Sequence, residues 1–134
     1  MSRFCLDTSA YSHFKRGDPA VVDLVTSAPW IGVPVVVLGE LRAGFLGGRR
    51  ADKNEADLRG FLEQPTAVVL DVDDDAARIY AEIVTALRRA GTPVPTNDLW
   101  IAAVAAREGA TVLTYDSHFE RISRVGVRVI PAER

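Results

Sequence analysis

Four carboxylate side chains stand where an acid could do chemistry in this 134-residue chain. Asp7 directly follows the strand-like run RFCL, Asp116 lies two residues after the run TVLT, and Asp98 opens the helical pattern DLWIAAVAA. Glu40 interrupts the apolar stretch VPVVVLGELRAGF. A charged side chain is almost never fully buried unless it is paired or binds a metal. Glu40 therefore needs an ionic partner or a metal, and the other three acids are candidates for binding the same partner.

Each acid also has a purely structural interpretation. Asp7 could cap the helix that follows it, Asp98 could be a first-turn acid favoured by the helix dipole, and Asp116 could be a turn residue. Glu40 could form an ion pair with an arginine such as Arg42. The four acids together indicate a metal site more specifically than any one of them does. Packed together, they would raise one another's pKa values unless a cation neutralised them.

The chemistry of a shared cation follows from the ligand types. Oxygen ligands favour Mg²⁺ or Mn²⁺ over zinc, and no Cys/His spacing of a zinc site is present, so we interpret His13 and His118 as surface or satisfied side chains. Mg²⁺ held by carboxylates suits phosphodiester hydrolysis, because it lowers the pKa of a bound water and neutralises phosphate charge. Hydroxyls at Thr8, Ser9 and Thr114 could orient an acid, although capping and turn hydrogen bonds explain them equally well.

The elements that must position these acids alternate between strands and helices. Strand-like runs cover residues 3–6, 30–33, 67–70, 111–114 and 128–130. Helical patterns cover residues 9–16, 19–27, 34–45, 52–63, 74–90 and 96–108. This alternation predicts one α/β domain over residues 1–134, with a central parallel sheet of about four to five strands flanked by helices on both faces. All four acids could then converge beyond the carboxyl ends of the strands.

The bulk composition limits the function classes. The net charge of −2, from 16 basic and 18 acidic residues, argues against a broad basic surface for nucleic acid. A nuclease that holds its substrate through a metal and a few arginines is still permitted. The single cysteine, Cys5, is predicted to be a small core residue. The chain shows no signal peptide and no apolar run near the roughly 20 residues that cross a membrane, which predicts a cytoplasmic protein.

The most acidic segment, LDVDDDAARIY, is predicted to form a helix cap rather than a metal site. It contains Asp71, Asp73, Asp74 and Asp75, and a helical pattern follows directly. Acids in this position complete the backbone hydrogen bonding of a helix N-terminus and complement its dipole.

Four separate motifs in this order resemble the PIN-domain ribonucleases, and more narrowly the VapC toxins of bacterial toxin–antitoxin pairs. The motifs are FCLDTSAY, VVLGELRAG, PTNDLWIAAVA and TVLTYDSHFERI. The resemblance extends from about residue 4 to residue 130. One motif alone, such as LDTS, would be weak, whereas the spacing and order of all four make the resemblance specific.

The resemblance implies that the metal-binding and catalytic acids are Asp7, Glu40, Asp98 and Asp116, with Asp7 and Asp98 as the firmest Mg²⁺ ligands. Some members of the family carry asparagine at the fourth position, where this chain has aspartate. The PIN-like fold further implies Mg²⁺-dependent endonucleolytic cleavage of RNA, with Mn²⁺ able to substitute, and a homodimer. It also implies a small VapB-type antitoxin that binds near the active site. Glu40 would then face a metal in a shared acidic pocket.

Three other functions are weighed against this one. A haloacid dehalogenase-type phosphatase needs a second aspartate two residues after the first, where this chain has Ser9. A phosphoacceptor receiver needs paired acids at its first strand and a late lysine, whereas the only lysines are Lys15 and Lys53. A PIN-fold binding module without significant nuclease activity stays open, and metal-dependent cleavage separates it from the ribonuclease.

Overall fold

Five parallel strands form the centre of the structure, a computed structural model in which residues 2–131 are described. They pair in the order β3-β2-β1-β4-β5. Their bounds are β1 Arg3–Leu6, β2 Trp30–Pro34, β3 Ala67–Leu70, β4 Thr111–Thr114 and β5 Gly126–Val129. Residues 1 and 132–134, which the predicted domain includes, lie outside the described part of the chain. The parallel sheet confirms the predicted α/β class.

Helices connect the strands in pairs. Their bounds are α1 Thr8–Lys15, α2 Pro19–Ser27, α3 Val35–Leu46, α4 Ala51–Leu62, α5 Asp74–Ala90 and α6 Thr96–Arg107. A short 3₁₀-helix, Ser117–Arg121, lies between β4 and β5. Because crossovers between parallel strands are right-handed, the helices that precede β3 and the pair that follows it cover opposite faces of the sheet. Among the helices of residues 2–131, none has the combined length and hydropathy of a membrane span.

Helix caps follow the signals in the sequence. The side chain of Asp18 accepts a hydrogen bond from the backbone N–H of Ala20 at 3.3 Å and begins α2. Asp73 accepts one from the N–H of Ala76 at 2.9 Å and begins α5. The acidic segment around Asp73 is therefore a helix cap, as predicted.

Among the predicted boundaries, those of α1, α4 and α6 differ from the structure by one residue, and two other errors have a clear physical reason. Pro34 was placed at the first position of α3, but it closes β2 opposite Leu70 and has an extended backbone, with φ −62° and ψ 144°. The proline ring fixes φ but leaves ψ free, so the same residue is compatible with a strand end or a helix start. The last strand begins at Gly126 rather than at Arg128, because it pairs with β4 from Thr111 onward.

The topology places β1 and β4 side by side at the centre of the sheet. Cys5 in β1 and Val112 in β4 are fully buried, which confirms Cys5 as a core residue, and burial raises the pKa of its thiol. The order of strands runs from β1 through β2 to one edge and from β4 through β5 to the other. Ligands of open α/β sheets bind at such a switch point, outside the carboxyl ends of the strands. Asp7 and Asp116 lie directly beyond these two ends.

Candidate metal centre

Asp7 is buried at the junction of β1 and α1, with 3% of its surface exposed. Its Oδ1 accepts hydrogen bonds from Ala10 N and Ser9 Oγ, both at 2.8 Å, and its Oδ2 accepts one from Thr114 Oγ1 at 2.5 Å. The helix-cap interpretation of Asp7 is thus correct, but capping uses only part of the carboxylate. Burial raises the pKa of Asp7, although these three hydrogen bonds oppose the shift, and the charge of Asp98 raises it further.

Glu40 lies half-buried on α3 and contacts the first residue of α1. Thr8 Oγ1 donates a hydrogen bond to Glu40 Oε1 at 2.7 Å. The predicted alternative, an ion pair with Arg42, is wrong, because the Arg42 guanidinium binds Glu55 instead, with Nη2 and Oε2 3.0 Å apart. Since Thr8 directly follows Asp7, this hydrogen bond brings Glu40 to the carboxyl end of β1.

Asp98 occupies the first turn of α6, where Pro95 precedes the helix without a side-chain cap. Burial raises the pKa of Asp98, a hydrogen bond from His118 lowers it, and the charges of Glu40 and Asp116 raise it again. The Asp116 side chain is 56% exposed, and its backbone N–H donates to Thr114 Oγ1 at 2.9 Å. The four predicted acids therefore influence one another electrostatically, and the charge of Asp98 acts on Asp7 while those of Glu40 and Asp116 act on Asp98.

This donor set fits a hard divalent cation. The acids offer carboxylate oxygens from four separate segments of the chain, and the pKa values of Asp7 and Asp98 are both raised. Carboxylates without a neutralising partner repel one another in a partly buried site, and a bound cation removes that repulsion. Three donors reach the Asp7 carboxylate, and the hydroxyl of Ser9 lies within hydrogen-bond distance of both oxygens. Because Ser9 has a single hydroxyl proton, roughly one of the four acceptor positions stays available for a further ligand bond.

Comparison with known proteins identifies the family of this chain. The family model described as the PIN domain matches residues 4–125. Ribonuclease VapC5 from Mycobacterium tuberculosis is 37% identical over 114 residues, which are 85% of this chain and 83% of that protein. This chain belongs to the VapC group of the PIN-domain family. The predicted PIN-like fold and the resemblance to VapC toxins are confirmed.

Solved VapBC structures share the fold along nearly the whole chain. DNA-bound VapBC from Salmonella typhimurium matches with a TM-score of 0.85 and 29% identity, over 96% of this chain and 98% of that one. VapBC-5 from Mycobacterium tuberculosis, described as a member of the VapBC family of toxin–antitoxin systems, matches with a TM-score of 0.73 and 29% identity. That match covers 97% of this chain and all of the other.

His118 is a residue of this VapC site that the sequence analysis missed. The sequence predicts a surface or satisfied side chain, but its Nε2 lies 2.7 Å from Asp98 Oδ2 and its Nδ1 lies 3.0 Å from Asp116 Oδ1. One ligand atom from each of these three residues lies within 4.8 Å of the others. The spacing Asp-x-His after a strand end was the available signal. His13, by contrast, contacts the backbone oxygen of Ser9 through Nδ1 at 2.9 Å, as expected for a satisfied histidine.

The hydroxyls predicted to orient the acids all contact them. Thr8 contacts Glu40, while Ser9 and Thr114 contact Asp7. Ser9 Oγ also accepts a hydrogen bond from the backbone N–H of Tyr115 at 3.1 Å. The carboxyl end of β1 is thereby tied to the segment that follows β4.

Replacing Thr114 with valine should destabilise this VapC domain by about 1–3 kcal/mol, the usual cost of leaving a buried polar group without its partner. Thr114 is fully buried and bridges Asp7 Oδ2 to the backbone N–H of Asp116. Urea unfolding in EDTA measures the change. Thr111→Val is the matched control, because it makes the same substitution in the same strand, where valine suits β-structure. Equal unfolding midpoints for the two variants would contradict the prediction.

Proposed function

We propose that this protein is a Mg²⁺-dependent endoribonuclease that acts as the toxin of a toxin–antitoxin pair. The observation that carries the proposal is the convergence of Asp7, Glu40, Asp98 and Asp116 beyond the carboxyl ends of β1 and β4. The relative VapC5 is named a ribonuclease, and it covers most of this chain. A hydrolase that cleaves RNA phosphodiester bonds is the function that accounts for both.

In this proposal Asp7 and Asp98 hold the metal, and Glu40 and Asp116 complete the site. Mn²⁺ can take the place of Mg²⁺, because both ions accept carboxylate oxygens. When bound, the ion lowers the pKa of a water molecule and offsets the charge of the scissile phosphate. The protein provides the catalytic carboxylates in fixed positions.

The positions of these carboxylates depend on hydroxyl groups. Thr8 restrains Glu40 through one hydrogen bond of 2.7 Å. Ser9 and Thr114 restrain Asp7 from two sides, and Thr114 also accepts the backbone N–H of Asp116. Partners that orient metal ligands commonly change metal affinity or activity by about 10–100-fold when they are removed. We assign these three residues a positioning role on that basis.

The charge distribution bears on how RNA is held. An RNA phosphate that approached the four acids directly would be repelled, so substrate binding depends on the cation. The chain carries a net charge of −2, which leaves little general attraction for polyanions. Recognition of the RNA therefore rests on local shape and a few contacts.

The proposed partner is a VapB-type antitoxin. Support comes from the solved structures that this chain matches, one described as DNA-bound VapBC and the other as a member of the VapBC family of toxin–antitoxin systems. We also propose a homodimer of single PIN domains and a cytoplasmic location, where cellular RNA is available.

Induced expression of the chain in a bacterium tests the function. The parent should arrest growth and generate new RNA 5′ ends at discrete sites, whereas Asp98→Asn at equal protein level should do neither. Co-expression of the cognate antitoxin should restore growth. Growth arrest without new RNA ends, or equal arrest by Asp98→Asn, would instead support a PIN-fold binding module that acts without cleavage.

A further inference from the structure

We infer that His118 is a nitrogen ligand of the metal at this site and that it shifts the preference of the site from Mg²⁺ toward Mn²⁺. The inference rests on the proposed function in one respect, which is that a divalent ion binds among the four acids. It assigns to a histidine a role that neither the acidic motif nor the family match supplies.

His118 is held rigidly between two of the acids. It belongs to the 3₁₀-helix that follows β4, and its side chain is 19% exposed. The ring stacks on Phe119, with centroids 5.1 Å apart and an interplanar angle of 23°, and Phe119 is fully buried. The nitrogen atoms point in two directions, Nε2 toward Asp98 and Nδ1 toward Asp116. The position of the imidazole is therefore fixed by the core as well as by the acids.

A metal bound to one ring nitrogen of His118 would leave the other nitrogen to donate its N–H to a carboxylate. A neutral ring carries one N–H, so it can donate to only one of the two carboxylates. The other nitrogen then directs its lone pair toward a carboxylate oxygen, an arrangement that a cation between the two atoms would stabilise. Histidines that bind metals almost always donate their second ring N–H to a carboxylate, carbonyl or water. A metal ligated by His118 would satisfy both contacts in this way.

The role of Asp98 as a metal ligand favours Nε2 as the ligand atom of His118. Nε2 lies 2.7 Å from Asp98 Oδ2, and two adjacent ligands of an octahedral ion, each about 2.1 Å from it, lie about 3.0 Å from one another. One ion can therefore bind Nε2 and Asp98 with little movement of either side chain. Nδ1 lies 3.0 Å from Asp116 Oδ1, so it can donate its N–H to that carboxylate.

A nitrogen ligand changes which ion the site selects. Mg²⁺ prefers oxygen ligands and dehydrates reluctantly, whereas first-row transition ions accept imidazole readily. The oxygens of the acids serve either ion, but His118 adds a ligand that mainly benefits Mn²⁺. The site should therefore bind Mn²⁺ more tightly than an all-carboxylate version of itself, with a smaller change for Mg²⁺.

Pulsed electron paramagnetic resonance of Mn²⁺ bound to the full chain, purified free of antitoxin, tests the ligand directly. The parent should show hyperfine coupling to a coordinated imidazole nitrogen, and ¹⁵N-histidine labelling should change the coupling from ¹⁴N to ¹⁵N. His118→Gln should lose it. His13→Gln is the matched control, because the chain has two histidines, and it should retain the coupling. Bound Mn²⁺ without nitrogen coupling in the parent would overturn the inference, as would coupling that survives in His118→Gln or disappears in His13→Gln.

Calorimetric titration supplies a second measurement that does not depend on activity. His118→Gln should weaken Mn²⁺ binding by about tenfold or more, the scale seen when groups around metal sites are removed, and Mg²⁺ binding by less. Equal losses for both ions, or no Mn²⁺ binding to the folded parent, would overturn the inference. RNA cleavage tests the proposed function separately: metal-dependent cleavage without nitrogen coupling would leave the ribonuclease standing and remove only the role of His118.

Discussion

Asp7→Asn is expected to reduce Mg²⁺-dependent RNA cleavage by at least about a hundredfold, while making the metal-free protein more stable. Loss of a metal ligand removes several kcal/mol of transition-state stabilisation, and about 2.7 kcal/mol corresponds to a hundredfold in rate. Stability should rise because the buried carboxylate is desolvated, whereas asparagine is uncharged and caps a helix as well as aspartate does. Cleavage assays in Mg²⁺ and thermal unfolding in EDTA measure the two effects.

The stability gain from Asp7→Asn should depend on pH in a defined direction. The pKa of Asp7 is raised in the folded chain, mainly by burial, so the folded state binds this proton more tightly than the unfolded state does. The stabilisation from that proton is complete below the ordinary pKa of an aspartate and is lost as the pH rises through the folded-state value. The difference between the variant and the parent should therefore be present at neutral pH and vanish below about pH 3.

Asp73→Asn is the matched control for Asp7→Asn. Asp73 also caps a helix, at the start of α5, but it accepts from Ala76 and pairs with Arg107 away from the four acids. This control should cleave RNA like the parent. An Asp7→Asn protein that cleaved at the parental rate would show that Asp7 is a structural cap and not a metal ligand.

Asp98→Asn should reduce cleavage by a factor similar to that of Asp7→Asn, for a different structural reason. Asp98 is the acid whose pKa is raised by the charges of both Glu40 and Asp116, so repulsion from two other acids acts on it. The amide keeps the shape of the side chain and removes the charge, which eases repulsion in the metal-free state but weakens metal binding. Single-turnover cleavage at saturating RNA, over a Mg²⁺ titration, measures the loss of rate and the loss of metal affinity separately.

Asp74→Asn controls for the effect of the substitution itself. Asp74 lies in the first turn of α5, as Asp98 does in α6, and its largely exposed side chain pairs with Arg78. It should leave both the cleavage rate and the Mg²⁺ requirement unchanged. Parental rates for Asp98→Asn, or an equal loss in Asp74→Asn, would remove Asp98 from the proposed site.

Local signals were sufficient to predict most of the fold. The bounds of β1, β3, β4, α2 and α5 follow from apolar runs, from caps such as Asp18 and Asp73, and from the glycine that ends α5. Gly91 takes the left-handed conformation with φ 69°, which glycine adopts without strain. The order of strands could not be derived in this way, because it depends on the direction in which each crossover returns to the sheet.

The four acids were recognisable because each stands near the end of a strand or on the helix beside it. Which hydroxyl or imidazole contacts which acid could not be predicted, because those contacts span large separations in sequence. Thr8 meets Glu40 across 32 residues, and His118 meets Asp98 across 20. Both pairs form only when helices pack at the edge of the sheet. The spacing of Asp116 and His118 was visible in the sequence, but without a second histidine nearby it did not match a zinc-site pattern, so the place of His118 in the site became visible only in three dimensions.

Cleavage of total bacterial RNA by the purified chain, in Mg²⁺ and in EDTA and beside Asp98→Asn, tests the metal-dependent ribonuclease most directly. Discrete fragments are expected only with the parent in Mg²⁺, and intact RNA is expected in EDTA and with the variant. Fragments that persist in EDTA, or that Asp98→Asn produces equally well, would contradict a catalytic metal held by these acids. Intact RNA in every lane, from folded protein shown to bind Mg²⁺, would contradict the nuclease itself and support the binding module.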